Sequence, residues 1–461
     1  MTVFRVTLTL LVFLISTKLF TYAAGSLKFT KMNMISALYY YIMFFNLIGA
    51  SLIFVGFRDH YLIRKLASEE TIDKTYYALA YCVITFPVVL IVMKKIMGLF
   101  IRKREIHTFV QDSIHYNGNM TGIQTAVLLL MVVCTMATIY VFVNLGYIPI
   151  VSMFTGGNLD VLRQSGNRNF AGNQYIKNLL MSSLTPFVSY IAYIYYRTTK
   201  KGLWGVMFAY MALLSVIVLT YDFAKTPIIT YLLGIYLMEV VLGNVTSNKR
   251  FKKLVFSAIL LLLFFYVIVF GAGNSLFSIY TGPIGRIIFT QIATLFLHME
   301  AFPLHHPFLN GGSFNGWMSF VFPAAANIRS GRVVMTIFNP QGIEANTAGV
   351  MNTVFIGEAY ANFGIMGIII APIVFGIIIG FFAYLLPGLK KTPFSVLFYV
   401  QLSLLYISIV EGGFVDIFYS ASIVFYLLLT ILLYVISGNC NMMRITKLQR
   451  NNLDFWGIRK D

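Results

Sequence analysis

Ala361 to Leu385 reads ANFGIMGIIIAPIVFGIIIGFFAYL and carries no charged side chain. An α-helix rises 1.5 Å per residue, so about 20 apolar residues cross the roughly 30 Å hydrocarbon core of a bilayer. This stretch is long enough to cross. Similar windows bounded by polar breaks lie on either side of it: Val3 to Ala23, Ile35 to Phe57, Tyr76 to Val92, Thr121 to Asn144, Leu179 to Tyr196, Leu203 to Thr220, Pro227 to Leu242, Leu254 to Phe270, Phe394 to Val410, and Phe414 to Ile436. Composition agrees. Of 461 residues 59% are hydrophobic and only 11% charged, with mean hydropathy +0.80, too little polar surface for a water-facing domain. The expected fold is all-α, a polytopic membrane bundle of about eleven transmembrane helices. Without a repeat of fixed period or a low-complexity linker, residues 1–461 read as one integral membrane domain.

A net charge of +18 raises the question of nucleic acid, and the placement of the cations answers it. They fall in alternate short loops: Lys94, Lys95, Arg102, Lys103 and Arg104; Arg197, Lys200 and Lys201; Lys249, Arg250, Lys252 and Lys253; Lys390 and Lys391; and Arg444, Lys447, Arg450, Arg459 and Lys460 in the tail 437–461. Such cations are topology signals and headgroup contacts, so these loops and the tail are expected in the cytoplasm, with no nucleic-acid partner. Eleven spans then put the N-terminus outside. Lys28 and Lys31 after the first span favour that orientation over the lone Arg5; a cleavable signal peptide, hinted at by Thr21 to Gly25, would invert it. Cys82, Cys134 and Cys440 lie in two spans and the tail, with no Cys-x-x-Cys metal spacing or disulfide framework.

Two polar insertions are then expected on the outer face, at 145–177 and 271–360. The first contains NLDVLRQSGNRNFAGNQYIKN, Asn158 to Asn178. The second holds five prolines, Trp317, His298, His305 and His306, and no lysine or aspartate. Loops this long are uncommon unless functional, and its windows Gly285 to Ala301 and Asn315 to Ala325 are apolar enough to lie at the membrane interface as short helices. Arginine without lysine is chemically pointed. A guanidinium grips phosphate through two parallel hydrogen bonds and stays charged in partly dry surroundings, whereas near an interface it also snorkels to phospholipid. Arg163, Arg168, Arg286, Arg329 and Arg332 are therefore candidate pyrophosphate ligands. Asp160, Glu300, Glu344, Glu358, Glu411 and Asp416 are the candidate general bases, or ion-pair partners of those arginines. Glu411 and Asp416 share the turn VEGGFVD between the last two spans, where an acid so near hydrocarbon is expensive. HMEAFPLHH brings histidines close together, which by itself is a weak metal signal.

What is missing narrows the chemistry. None of the eight aspartates lies two residues from another, so there is no D-x-D pair for a nucleotide-sugar metal; phosphate-loop, zinc-protease and G-x-S-x-G motifs are also missing. An anionic lipid read by arginine from the outer face remains.

Several stretches then resemble a family: YIKNLL (Tyr175 to Leu180), YDFAKTPIITYLLG (Tyr221 to Gly234), HHPFLNGGSF and PAAANIRSGR in the second loop, NTVFIGEAYANFGIMGIIIAPIVFGIIIG (Asn352 to Gly380), and the E-G turn before the last span. Together with the order of spans and loops these resemble Wzy-type oligosaccharide repeat-unit polymerases, and the topology is similar to that of enterobacterial common antigen polymerases over nearly the whole chain. The resemblance implies a GT-C-type membrane glycosyltransferase of the bacterial inner membrane, working at its outer face without a cofactor or metal. It would move a growing O-antigen or capsule glycan from undecaprenyl diphosphate onto a new lipid-linked repeat unit. It also implies membrane lipids and a chain-length regulator as partners. Arg163 matches the family's first-loop arginine, and Arg286 and Arg332 match those of the second; Lys225 stands where relatives often carry arginine. Glu358 or Glu411 would take the acceptor proton. Substrate contacts would come from Asp160, Arg168, Asn173, Lys225, Glu300, His305, His306, Arg329 and Asp416. An O-antigen ligase and a lipid-linked oligosaccharide flippase are the alternatives.

Overall fold

The computed structural model describes residues 2–100, 109–110, 112–115, 118–148, 151–152, 170–222, 224, 226–245, 256, 280, 282–345 and 347–437. Among these the regular structure is entirely helical, and eight helices are long and apolar enough to cross a membrane. They are α1 (Thr2–Ala24), α2 (Met34–Val55), α3 (Glu69–Phe100), α4 (Met120–Leu145), α6 (Gly202–Leu219), α11 (Ile365–Leu385), α12 (Pro393–Gly412) and α13 (Ala421–Ile436, which with the preceding 3-10 turn Val415–Ile417 makes a span of 22 residues). Two further expected spans form as shorter helices: α5 (Leu184–Thr199), entered through a π-helical stretch Ile176–Ser183, and α7 (Thr226–Val241). Each is 16 residues long, and α5 is diluted by tyrosine, serine and threonine. The expected span Leu254 to Phe270 lies, except for Phe256, outside the described residues. Three short helices complete the frame: α8 (Gln291–Ala301), α9 (Ser330–Phe338) and α10 (Phe355–Phe363).

Local chemistry sets where the long helices begin. Asn33 and Ser36 form a reciprocal capping box at α2, and Thr392 with Ser395 does the same at α12, where Pro393 takes the first helical position. Asn119 caps α4 through the Gly122 amide. Burial then ranks the spans. In α12, 83% of the apolar window is buried, against 17% in α13, so α12 is the central post and α13 faces lipid. Around α12 pack α2, α5, α7, α10 and α13.

The most extensive helix contact in the bundle joins α3 to α11. A Cβ at Gly376 would lie 2.6 Å from Val89 Cγ1 and one at Gly380 would lie 2.8 Å from Met93 Cβ. Apolar surface gains nothing by leaving lipid for another helix, so close backbone approach through small residues is what holds such a contact. Gly376→Leu or Gly380→Leu is therefore expected to destabilise the bundle by about 1–3 kcal/mol; thermal unfolding of the protein in detergent reads this.

Hydrogen bonds orient the bundle. Arg5 Nη2 meets Asp73 at 2.7 Å and Lys94 Nζ donates to the Tyr22 carbonyl at 3.0 Å, so α1 and α3 run parallel. One end carries Lys28, Lys31, Lys94, Lys95, Arg197, Lys200, Lys201, Lys390 and Lys391 beside the short turns; buried Lys391 there donates to the Val110 and Asp112 carbonyls at 2.8 and 3.0 Å. The opposite end carries α8, α9 and α10 with their connecting loops. The segment 315–325 has only one 3-10 turn, Gly316–Met318, and leaves Trp317 and Phe320 exposed.

Candidate functional site

The loop end is organised around the turn Glu411 to Asp416, EGGFVD. Gly413 ends α12 with φ +155° and ψ 164°, a conformation that side chains disfavour. A Cβ there would sit 2.3 Å from Glu358 Oε2, so the missing side chain is the space in which that carboxylate lies. Glu358 projects from the first turn of α10, partly accessible, and its Oε2 accepts from the Val415 amide at 3.0 Å. The Phe414 amide and the Ser313 hydroxyl also reach it. Removal from water outweighs these donors, and the neighbouring Asp416 carboxylate adds to its effect, so the Glu358 carboxyl is pushed up to about 7. A group poised there can both take and return a proton at neutral pH.

Asn362 fixes the surroundings. Fully buried, it accepts from the Ser313 amide at 3.2 Å and donates to Ser313 Oγ at 2.9 Å and to the Glu358 carbonyl at 2.8 Å. Backbone bonds Leu309 to Ala361 and Asn310 to Asn362 fasten the same loop to α10. Tyr419 Oη accepts from the Asn315 amide at 2.7 Å, and the exposed Arg329 acts electrostatically on Asp416. At the start of the turn, Glu411 faces the other way. It lies buried and accepts from Gln291 Nε2, with Asn46 of α2 alongside.

The remaining sequence-derived candidates divide by place. Arg163, Arg168, Asp160 and Lys225 lie outside the described residues. Arg286 is exposed at the start of a π-helical turn, Arg286–Thr290, that feeds α8. Arg332 is exposed and donates through Nη1 to the carbonyls of Gly349, at 3.0 Å, and Ala348, at 3.3 Å, bracing the chain before α10. Glu300 is buried with both oxygens engaged, Oε1 by the Ala67 amide at 3.1 Å and Oε2 by Thr71 Oγ1, tying α8 to the start of α3. Asn173 accepts from the Tyr175 amide at 2.8 Å and initiates the helical stretch before α5. His305 and His306 sit on an outer turn, packed edgewise against Phe338 and Phe302 respectively. Glu344 is exposed in the helical turn Pro340–Glu344.

His298 is buried between the Thr294 carbonyl and Ser330 Oγ, and desolvation lowers it to about 4, so it is neutral at physiological pH. Among the described residues no group of three or more His, Cys, Asp or Glu side chains is placed to hold a metal ion. The sequence reading missed Asn46, Gln291, Ser313, Asn362 and Gly413. A lone asparagine inside an apolar span was the available signal for Asn46; the others become visible only when distant segments meet.

These observations define the class: a polytopic helical membrane protein with a polar, acid-bearing loop end. No family model, no curated protein and no solved structure matches the chain.

Proposed function

We propose that this protein is a membrane glycosyltransferase that polymerises undecaprenyl-diphosphate-linked oligosaccharide repeat units, with its reacting groups at the loop end. The observation that carries the reading is Glu358: a carboxyl near 7 held by backbone amides, in a loop segment whose exposed cations, Arg286, Arg329 and Arg332, are all arginine. Cleavage of a sugar from a lipid diphosphate develops negative charge on the departing oxygen, which fixed guanidinium donors stabilise. Glu358 accepts the proton of the attacking sugar hydroxyl. The lysine-rich end faces the cytoplasm by the positive-inside rule, which turns the loop end outward. Arg332, whose guanidinium already holds two carbonyls, shapes the site more than it binds phosphate.

Deleting the gene in its own host and resolving the surface polysaccharide on a gel tests this. The expected result is loss of the ladder with a single repeat left on its acceptor, restored by the wild-type gene. Arg286→Ala is expected to reduce polymer formation by about 10²–10³-fold at matched protein level, and Arg163→Ala extends the test to the first loop. Full-length polymer that stays on its lipid carrier would mark a ligase instead. Repeat units trapped inside would mark a flippase.

A further inference from the structure

Between α8 and α9 the chain runs from Pro307 to Ile328 without one charged side chain. Its middle also turns large apolar groups outward: Phe320 is 78% exposed, Trp317 62% and Val321 51%. Scattered apolar residues on a surface need no explanation, but three together on one short loop mark a surface that meets something other than water.

The loop is built to present them. Backbone bonds close its neck, from the Asn327 amide to the Phe314 carbonyl at 2.8 Å and from the Ile328 amide to the Gly312 carbonyl at 2.9 Å. The rings of Phe314 and Phe322 turn inward and stack at 4.1 Å. Both also pack on Phe363, just ahead of α11, at 6.4 and 5.7 Å, and Phe314 packs on Phe418, just ahead of α13, at 5.7 Å. Trp317 lies edgewise on Tyr419 at 5.4 Å, and Tyr419 Oη accepts from the Asn315 amide. The loop is thereby fastened across the loop-side ends of α11 and α13, with Trp317, Phe320 and Val321 on its free side.

The neighbours identify what covers that side. Of the eight spans α13 is the least buried, and its start carries exposed Phe418 and Val424; α11 begins with exposed Ile365 and Met366. These are lipid-facing positions, and the three loop residues continue the same apolar surface. The depth is limited by the backbone. A loop with one 3-10 turn would leave amides and carbonyls unpaired in hydrocarbon, so its seat is the boundary of headgroups and acyl chains, where water still reaches the backbone and tryptophan is favoured.

We propose that residues 314–322 form a lip seated in the bilayer leaflet on the loop side, with Trp317, Phe320 and Val321 immersed among the lipids between the ends of α11 and α13. The Ser313 hydroxyl at the neck reaches the Glu358 carboxyl, so the lip sets that carboxyl at the depth of lipid phosphates. The lip does not rest on the glycan-transfer reading; that reading only names what Glu358 meets at this depth, a lipid diphosphate.

The test uses the full chain in phosphatidylcholine nanodiscs whose acyl chains are brominated either near the headgroup or near the chain end. Trp204 and Trp456 emit in every sample, so the Trp317 signal is read as wild type minus Trp317→Phe. That signal is expected to lose roughly half or more of its intensity in lipid brominated near the headgroup, less in lipid brominated near the chain end, and little to aqueous iodide. Phe320→Asp combined with Val321→Asp removes the seat without touching the packed rings, and is expected to restore about half of the lost signal. Quenching by iodide alone would put the lip in water, and protection from both quenchers would mean that another segment of the chain or a second copy covers it; either result overturns the proposal. Quenching unchanged in the double variant would overturn it too, since the bundle alone would then hold Trp317 at that depth.

Discussion

Glu358→Gln is expected to abolish polymer formation, by about 10²–10⁴-fold, while making the protein more stable at alkaline pH. The loss follows from removing the proton acceptor while keeping its shape. The gain follows from linkage. Folding raises this carboxyl from 4.5 to about 7, so the folded state holds its proton more tightly than the unfolded chain does. The stabilising contribution is therefore complete below about 4.5 and is lost as pH rises through about 7. Glutamine does not ionise, so the variant keeps that contribution at pH 8, on the order of 1–3 kcal/mol. Unfolding midpoints of the two proteins should coincide below pH 4.5, draw apart between pH 4.5 and 7 and stay apart above it, and wild-type activity should rise with pH through about 7 as the base loses its proton. Equal midpoints at every pH would show that Glu358 is not held in this environment.

Gly413→Ala is the second large effect. The new methyl would lie 2.3 Å from Glu358 Oε2 and 3.0 Å from its carboxyl carbon, and the backbone conformation at this position disfavours any side chain. The strained backbone costs about 1–3 kcal/mol. The atoms in the way belong to the end of a side chain, so the carboxyl moves rather than the helix. Polymer formation should fall nearly as far as in Glu358→Gln, and the pH-dependent separation of midpoints should shrink as the carboxyl reaches water. Gly412→Ala is the comparison. Its methyl would meet only Asp416 Oδ2, at 2.8 Å, on a backbone without that strain, and a much smaller loss is expected. Equal losses from the two variants would indicate general damage to the turn.

These two effects mark where sequence reading stops. The VEGGFVD turn stands out in the chain because two acids flank two glycines beside hydrocarbon, and Glu358 stands out as an acid ahead of the longest apolar run. Nothing in either stretch indicates that Gly413 makes room for Glu358, 55 positions before it. Glu300 looks just as available in sequence, yet folding gives both of its oxygens to the start of α3. A carboxylate's role depends on the donors and the water around it, and those arrive from segments far apart in the chain.

The sequence alone determined the solvent of this protein. Apolar runs of bilayer length leave a helix as the only way to satisfy their backbone groups, so the all-helical bundle and the separation of lysine-rich turns from arginine-bearing loops are legible without coordinates. The shorter helices α5 and α7 were legible as well, α7 to within a residue at each end, whereas the π-helical lead-in to α5 was not. Only the tertiary structure decided that α12 is the central post, that Asn46 and Gln291 meet Glu411, and that Glu358 rests on the amides of a distant turn. Hydropathy averages over many residues and survives being read locally; a site depends on a few tenths of an ångström between atoms from different helices, which no local pattern encodes.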